Sequence, residues 1–135
     1  MFLTHIGIYM NWLLVALGGA IGATFRYGAG VWFAKPTGLF PWTTWSVNLL
    51  GCFLAGVFFA FSQKFSILQN EARLLLMVGV LGGFTTFSSF GLETFQLIKQ
   101  GQVPMALAYA MSSLILGVMV LAIGFYVFQL ILQNK

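Results

Sequence analysis

Charged residues are scarce in this sequence. Its 135 residues include six Lys and Arg and two Asp and Glu, so only 6% are charged. A soluble domain is typically about 25% charged. Hydrophobic residues make up 60% of the chain, and the cations behind its formal charge of +4 are scattered along it. This composition argues strongly against a soluble globular domain, a disordered chain and a protein that binds nucleic acid.

Residues that carry most enzyme chemistry are also scarce. Cys52 is the single cysteine, which rules out an intrachain disulfide, and we interpret it as a buried hydrophobic side chain. The single histidine, His5, precedes the first apolar stretch. The sequence shows no Cys/His cluster, no nucleophile–base pair and no glycine-rich phosphate loop. We therefore predict that the protein is not an enzyme and has no metal cage built from side chains.

Long apolar stretches dominate what is present. A membrane-spanning helix needs about 20 residues, and charged or turn-forming residues divide the chain into four such stretches, at about 8–33, 42–62, 72–98 and 103–132. We predict an all-α, multi-pass protein of the cell membrane, with residues 1–135 forming a single four-helix transmembrane domain. The N-terminus lacks the basic region and cleavage site of a signal peptide, so we expect it to belong to the mature chain.

The loop charges give almost no preferred orientation. The side that holds both termini carries three cations, and the other side carries two, or three if Arg26 reaches its interface: Lys64, Arg73 and Lys135 against Lys35 and Lys99. A bias of at most one cation favours insertion in both orientations, which would permit an antiparallel homodimer. The alternative is a single orientation set by some other factor.

The third stretch holds the strongest local signal. Two adjacent glycines, Gly82 and Gly83, are followed by a cluster of hydroxyl residues: Thr85, Thr86, Ser88 and Ser89. One interpretation is a helix broken near its middle, whose freed carbonyls could bind a small cation and whose new N-terminus favours anions. The other is a bent but intact helix whose hydroxyls bond back to the preceding turn.

Other polar and aromatic residues in the spans also allow two interpretations. Phe87 and Phe90 share a helix face, and their positive ring edges could stabilise a dehydrated anion, although ordinary packing explains most such pairs. Asn48, and the stripe formed by Tyr109 and Ser113, could line a path or could make interhelical hydrogen bonds. A full positive charge would bind an anion too tightly for release, so Arg26 is better suited to an entrance.

Three segments resemble signatures of one known family, the Fluc (CrcB) fluoride channels. Residues 82–90, with Glu93 after them, resemble its GGxTTFSTF-x-x-E signature. Residues 45–49 resemble its T-x-x-V-N-L segment, and residues 18–26 resemble its first-helix G-G-x-x-G-x-x-x-R. The similarity covers about residues 9–130, and the order of the three motifs agrees.

The resemblance implies an antiparallel, dual-topology homodimer with two fluoride pores. It implies that the rings of Phe87 and Phe90 contact fluoride by their edges, that Arg26 lies near an aqueous vestibule, and that a structural Na⁺ at the dimer interface is bound by the backbone carbonyls of Gly82 and Thr85. It further assigns an amide and four hydroxyls to the fluoride path, namely Asn48, Ser88, Ser89, Tyr109 and Ser113.

Some positions depart from the family pattern. The next position of the helix-four polar track, often Ser, is Gly117, and the Ser after the second Phe is Gly91. The Gly-Thr-Leu before the asparagine segment reads Thr43-Thr44-Trp45, and the second Thr between the Phe pair is Ser89. None of these changes removes a core element of the motifs.

We therefore expect a passive, fluoride-selective channel that exports cytoplasmic fluoride and lowers its toxicity, with membrane lipid and a second copy of the chain as partners. The alternative is a small proton-coupled four-helix multidrug-type exporter, which needs an acid deep in helix one. Helix one has no acid, and Glu93, late in helix three, is the only possible proton carrier. A non-transporting structural subunit would not explain the concentration of Gly, Thr, Phe and Ser.

Overall fold

The structure, a computed structural model, describes residues 2–33 and 38–133, and side chains from residue 7 onward within those ranges. Lys35 and Lys135, which entered the charge count, lie outside the described residues. The described residues form helices, in the order α1 (Phe2–Trp32), α2 (Trp42–Lys64), a 3₁₀ turn (Ser66–Leu68), a π-helical segment (Arg73–Leu81), α3 (Gly82–Phe84), α4 (Phe87–Lys99) and α5 (Val103–Gln133).

Four helical stretches are long and apolar enough to cross a membrane: Gly7–Trp32, Trp42–Lys64, Arg73–Lys99 and Val103–Gln133. The prediction of an all-α, multi-pass integral membrane protein is thereby confirmed. Helix α1 begins at Phe2, earlier than the apolar stretch alone indicates. A helix satisfies its backbone through its own N–H to C=O bonds, which do not require apolar side chains, so it can extend beyond the apolar stretch.

The third span changes its packing partner along its length. Its first half, the π-helical segment with α3, lies against α1, whereas α4 packs against α5. Helix α2 packs mainly along α5. The four spans therefore form two helix pairs, and the third span crosses from one pair to the other between Phe84 and Phe87.

Glycines allow the helices of each pair to approach closely. A Cβ on Gly18 would overlap the Leu75 carbonyl, and one on Gly22 would overlap the Val80 carbonyl. In the other pair, a Cβ on Gly56 would overlap the Leu121 carbonyl. Small residues at a helix interface permit such backbone contact. The small-residue face of α1 is thus used inside the chain, against the third span.

A tight turn joins α4 to α5. Gly101 has a φ of +75°, a conformation that side chains with a Cβ rarely adopt. Its N–H donates to the Ile98 carbonyl at 3.0 Å, and the next N–H, of Gln102, donates to the Leu97 carbonyl at 2.9 Å. These bonds satisfy carbonyls left free at the end of α4, and the short turn places α4 and α5 side by side.

Candidate functional site

The helical backbone of the third span is interrupted at Thr85 and Thr86. Helix α3 ends at Phe84, and both threonines have extended backbone angles, with ψ of 159° at Thr85 and φ of −150° at Thr86. Helix α4 begins at Phe87, and the Thr86 hydroxyl caps it by accepting the Ser89 N–H at 3.2 Å. Threonine suits this position because its hydroxyl can replace a helix carbonyl as acceptor.

Asn48 bonds to this interruption from the facing helix α2. Its Oδ1 accepts the Thr86 N–H at 2.9 Å, and its Nδ2 donates to the Thr86 carbonyl at 3.2 Å. A primary amide offers this complementary pair of groups, with one Nδ2 hydrogen left over. Asn48 therefore supplies the acceptor that the Thr86 N–H lacks and adds a second donor to the Thr86 carbonyl, which as the N-cap also accepts the first N–H of α4. One hydrogen of its amide is not bonded to Thr86.

The interruption also removes the helical partners of two carbonyls. In a continuous helix the N–H of residue 86 bonds to the carbonyl of residue 82, and the N–H of residue 89 to that of residue 85. Here the Thr86 N–H donates to Asn48 and the Ser89 N–H donates to the Thr86 hydroxyl. The carbonyls of Gly82 and Thr85 thus lose their usual amide donors. Both residues line an open groove of about 360 Å³.

Hydroxyl groups cluster around the start of α4. The Thr86 hydroxyl, which is buried, lies 3.1 Å from the Ser89 Oγ and 3.3 Å from the Ser88 Oγ. Ser88 is exposed on the surface of the chain and Ser89 is half-buried. A second groove, of about 350 Å³, brings Ser89 and Thr86 together with Arg26 of α1. A neutral donor cluster and one cation therefore share this groove.

Glu93 accepts hydrogen bonds from two other helices. The Thr44 hydroxyl of α2 donates to its Oε1 and the Tyr109 hydroxyl of α5 donates to its Oε2, each at 2.7 Å. Tyr109 is fully buried and Thr44 is 8% exposed. Short hydrogen bonds of this kind are typical of charged acceptors. The carboxylate thus joins three helices at the end of the hydroxyl cluster.

Aromatic rings continue from the interruption to this carboxylate. The centroids of Phe87 and Phe90 lie 5.6 Å apart, and those of Phe90 and Tyr109 lie 5.1 Å apart. The Phe87 ring is 85% exposed on the surface of the chain, whereas Phe90 packs against the buried cluster around Tyr109. The two phenylalanines that share a helix face therefore have different environments.

Helix α5 carries a further pair of hydroxyls, on Ser112 and Ser113. The Trp45 indole N–H donates to the Ser112 Oγ at 3.1 Å, and Ser112 donates to the Tyr109 carbonyl at 3.2 Å. Among the described residues, the buried Ser113 Oγ has no hydrogen-bond partner. Buried hydroxyls are normally paired, so Ser113 is a donor for which the residues at 2–33 and 38–133 provide no acceptor.

Most of the residues predicted from the sequence lie close to the interruption. Direct hydrogen bonds link Asn48 and both serines of α4 to Thr86, and aromatic contacts link Phe87 to Phe90 and Phe90 to Tyr109. Gly82 and Thr85 face a groove that also contains Asn48 and Phe87. Ser113 is the exception, because its side-chain oxygen makes no hydrogen bond within the described part of the chain.

Sequence reasoning missed the roles of Thr44, Thr86 and Glu93 in holding the site together. Glu93 is the only acid late in a span, and an acid at membrane depth requires donors, so it could have indicated a site. Thr44 lies one helical turn before Asn48, on the same face of α2. This spacing could have indicated that Thr44 belongs to the same site. The chain separation of Thr44 and Glu93, 49 residues, carries no local signal.

The site offers neutral donors rather than a charged cage. Hydroxyls, one amide group and the rings of two phenylalanines lie around the interruption. Arg26 lies in the neighbouring groove, and Glu93 is bonded to α2 and α5. No group of three or more His, Cys, Asp or Glu side chains occurs in the described ranges. The arrangement can therefore partly replace the hydration shell of a small anion without holding it by a full charge.

A family model described as "CrcB-like protein, Camphor Resistance (CrcB)" matches residues 13–125. The chain belongs to the CrcB-like family. A CrcB-like relative from Thermus thermophilus, named "Fluoride-specific ion channel FluC", is 51% identical over 116 residues, which cover 85% of this chain and 91% of the relative. The family resemblance expected from the three motifs is confirmed.

Two further relatives carry the same name. The protein from Leptospira interrogans serovar copenhageni is 46% identical over 107 residues, which are 78% of this chain and 84% of the relative. The one from Phocaeicola vulgatus is 41% identical over 115 residues, or 84% of this chain and 94% of the relative. The similarity therefore extends over nearly the whole length of both CrcB-like relatives.

Proposed function

We propose that this protein is a passive channel selective for fluoride, which lets the anion leave the cytoplasm and so lowers fluoride toxicity. The observation that carries this proposal is the similarity of most of the chain to proteins named as fluoride-specific ion channels, at 41–51% identity. Hydrogen fluoride is a weak acid that enters a cell as the neutral molecule and ionises inside. A pore for the anion is then sufficient for export down its gradient.

The neutral donors of the site support fluoride as the transported ion. Phe87 and Phe90 would present ring edges to the anion, and the hydroxyls of Ser88, Ser89 and Tyr109 would donate hydrogen bonds to it. The amide hydrogen of Asn48 that is not bonded to Thr86 adds one more donor. Many weak donors in series allow entry and exit, which conduction requires.

Two positions at the ends of this path have different roles. Arg26 lies in the groove that also contains the hydroxyls of Thr86 and Ser89. Its positive charge would raise the local anion concentration beside these hydroxyls. Ser113 would extend the path along α5, and its buried hydroxyl, which has no hydrogen-bond partner among the residues that the structure describes, supports that role. The interruption of the third span is the centre of the proposed path, since it exposes the donors from both α2 and α4.

The functional assembly would be an antiparallel homodimer with dual topology. The groove that contains Asn48, Gly82 and Phe87 is open along the side of the chain, and the Phe87 ring is 85% exposed there. A second copy lying in this groove would enclose both, whereas lipid would leave the polar backbone of the interruption unsatisfied. The small difference in loop charge supports insertion in both orientations.

A structural Na⁺ fits the carbonyls of Gly82 and Thr85. Hard cations of this kind bind oxygen ligands, and both carbonyls have lost their helical amide donors to Asn48 and to the Thr86 hydroxyl. When bound, the ion would supply positive charge that fixes the two backbone oxygens. Gly82 is exposed in the groove, so a second copy could provide the same two oxygens from the other side.

Fluoride and chloride efflux from liposomes that contain the purified protein tests the channel assignment. Liposomes are loaded with either potassium salt, and a potassium ionophore is added so that charge movement does not limit the rate. We expect rapid fluoride efflux and almost no chloride efflux. Equal rates for the two anions, or no efflux of either, would overturn the assignment. A requirement for a proton gradient would instead favour the proton-coupled exporter.

A further inference from the structure

Within the part of the chain that the structure describes, the Ser113 hydroxyl has no hydrogen-bond partner, and the acceptor it would usually take is already occupied. A serine inside a helix commonly donates to the carbonyl four residues earlier, which for Ser113 is that of Tyr109. The Tyr109 carbonyl accepts the helical N–H of residue 113 and also the Ser112 hydroxyl at 3.2 Å. A carbonyl oxygen has two lone pairs, and both are then in use.

Trp45 determines which way the Ser112 hydroxyl points. The Trp45 indole N–H, which can only donate, approaches the Ser112 Oγ to 3.1 Å. The Ser112 hydrogen must point away from the indole, and it points to the Tyr109 carbonyl. Trp45 and Ser112 are 67 residues apart, so this bond also joins α2 to α5 beside the buried Tyr109.

We propose that Trp45 and Ser112 are positioning residues that occupy the Tyr109 carbonyl and so keep the Ser113 hydroxyl free to donate to the permeating anion. The proposal rests on the proposed channel function, and it concerns residues outside the motif-derived path. Trp45 stands where the family pattern resembled by this segment has Leu, which cannot donate. The Trp45–Ser112 bond is therefore a feature of this chain's own sequence.

The proposal explains why a buried hydroxyl is left unpaired at this position. An unpaired buried donor costs free energy, and a functional role is one of the reasons for which native proteins keep such a group. If Ser112 did not compete for the Tyr109 carbonyl, Ser113 would bond there and its hydrogen would be hidden from the path. Ser112 thus acts through Ser113, without contacting the anion itself.

A double-mutant cycle on fluoride efflux from liposomes tests this arrangement. Ser112→Ala should vacate the Tyr109 carbonyl, let Ser113 bond to it, and slow efflux about fivefold, the effect of losing one neutral hydrogen bond on a rate. Ser113→Ala should slow efflux by a similar factor. In the Ser113→Ala background, Ser112→Ala should cause no further loss, because the hydroxyl it acts on is gone. Ser112→Thr keeps a hydroxyl at this position and should restore most of the flux.

Trp45→Phe provides a second route if Ser112→Ala fails to assemble. It removes the indole donor while keeping an aromatic ring, so the efflux rate should fall in the wild-type background and stay constant in the Ser113→Ala background. Additive losses in the cycle would indicate general loosening of α2 against α5 and overturn the proposal, as would full activity of Ser112→Ala. Absence of efflux in the unmodified protein would instead overturn the channel function itself.

Discussion

The Tyr109 hydroxyl donates a 2.7 Å hydrogen bond to the Glu93 carboxylate, which joins the fully buried ring of α5 to the only acid late in the third span. A phenol has one hydrogen, so Tyr109 cannot donate to a passing anion while it donates to Glu93. Under the proposed function, Glu93 and fluoride therefore compete for the same donor. This competition would weaken fluoride binding at Tyr109 and favour release.

Replacement of Tyr109 by Phe removes this hydrogen bond and leaves the ring in place. Because the acceptor is a partly buried carboxylate, we expect the free energy of unfolding to fall by about 1.5–3 kcal/mol and fluoride efflux to slow. Thermal unfolding of the purified protein and efflux from liposomes measure the two effects. Tyr126→Phe is the matched control, since Tyr126 is 62% exposed; equal effects of the two variants would contradict the role of Tyr109.

Replacement of Asn48 by Ala leaves both backbone groups of Thr86 without their partner on α2. The Thr86 carbonyl keeps the first N–H of α4 as a donor, but the Thr86 N–H loses its acceptor. An unsatisfied buried group costs about 1–3 kcal/mol, so we expect lower thermal stability together with loss of fluoride efflux. Asn11→Ala, at an exposed asparagine on α1, removes the same amide without this consequence. Wild-type stability of Asn48→Ala would show that the amide does not hold the interruption.

Replacement of Phe90 by Ile should abolish fluoride efflux while the homodimer still assembles. Isoleucine keeps apolar volume against the cluster around Tyr109, but it has no positive ring edge to present to an anion. Phe95→Ile on the same helix is the control, because Phe95 is 57% exposed. Size-exclusion chromatography reports assembly, and unchanged efflux in Phe90→Ile would remove this ring from the path.

Two glycines at the α2–α5 interface should respond differently to the same substitution. A Cβ on Gly117 would lie 3.5 Å from the Cys52 Sγ, an ordinary contact, whereas one on Gly56 would overlap the Leu121 carbonyl. We expect Gly56→Ala to destabilise the protein by about 1–3 kcal/mol and Gly117→Ala to change its thermal stability little. Equal melting temperatures for both variants would contradict the close approach of α2 and α5.

The number and position of the spans follow from local composition, whereas the contacts of the site do not. Apolar runs separated by charges predict four helices because each helix satisfies its own backbone. The bonds from Asn48 to Thr86 and from Thr44 to Glu93 join residues 38 and 49 positions apart. Such pairings depend on how the helix pairs lie together, which periodicity does not encode.

The π-helical form of Arg73–Leu81 also has no counterpart in the sequence pattern. A run of apolar residues is compatible with either α- or π-helical geometry, because most of its side chains are surrounded by lipid or by packed neighbours whichever helix forms. The motif around Gly82 and Thr85 did carry information, since adjacent glycines followed by hydroxyl residues are unusual within a span. The sequence therefore indicates where the backbone hydrogen bonding departs from that of a regular helix, because the residue types there are unusual for a span.

Removal of sodium tests the proposed cation site without any substitution. If the carbonyls of Gly82 and Thr85 bind Na⁺ between two copies, replacing sodium with a large organic cation on both sides of the membrane should reduce fluoride efflux, and adding sodium back should restore it. The organic cation cannot fit between backbone oxygens, and without a cation these oxygens would repel one another across the groove.

Two variants at Thr85 distinguish sodium binding at this site from a general effect of salt on the membrane. Thr85→Ala keeps the backbone carbonyl and loses only the hydroxyl that donates to Leu81 at 2.9 Å, so it should retain the sodium requirement. Thr85→Pro removes the N–H that bonds to the Leu81 carbonyl at 3.0 Å and should disturb the carbonyl geometry, lowering the apparent sodium affinity. Full fluoride efflux of the unmodified protein in the absence of sodium would contradict the proposal, because it would show that the channel works without an ion on these carbonyls.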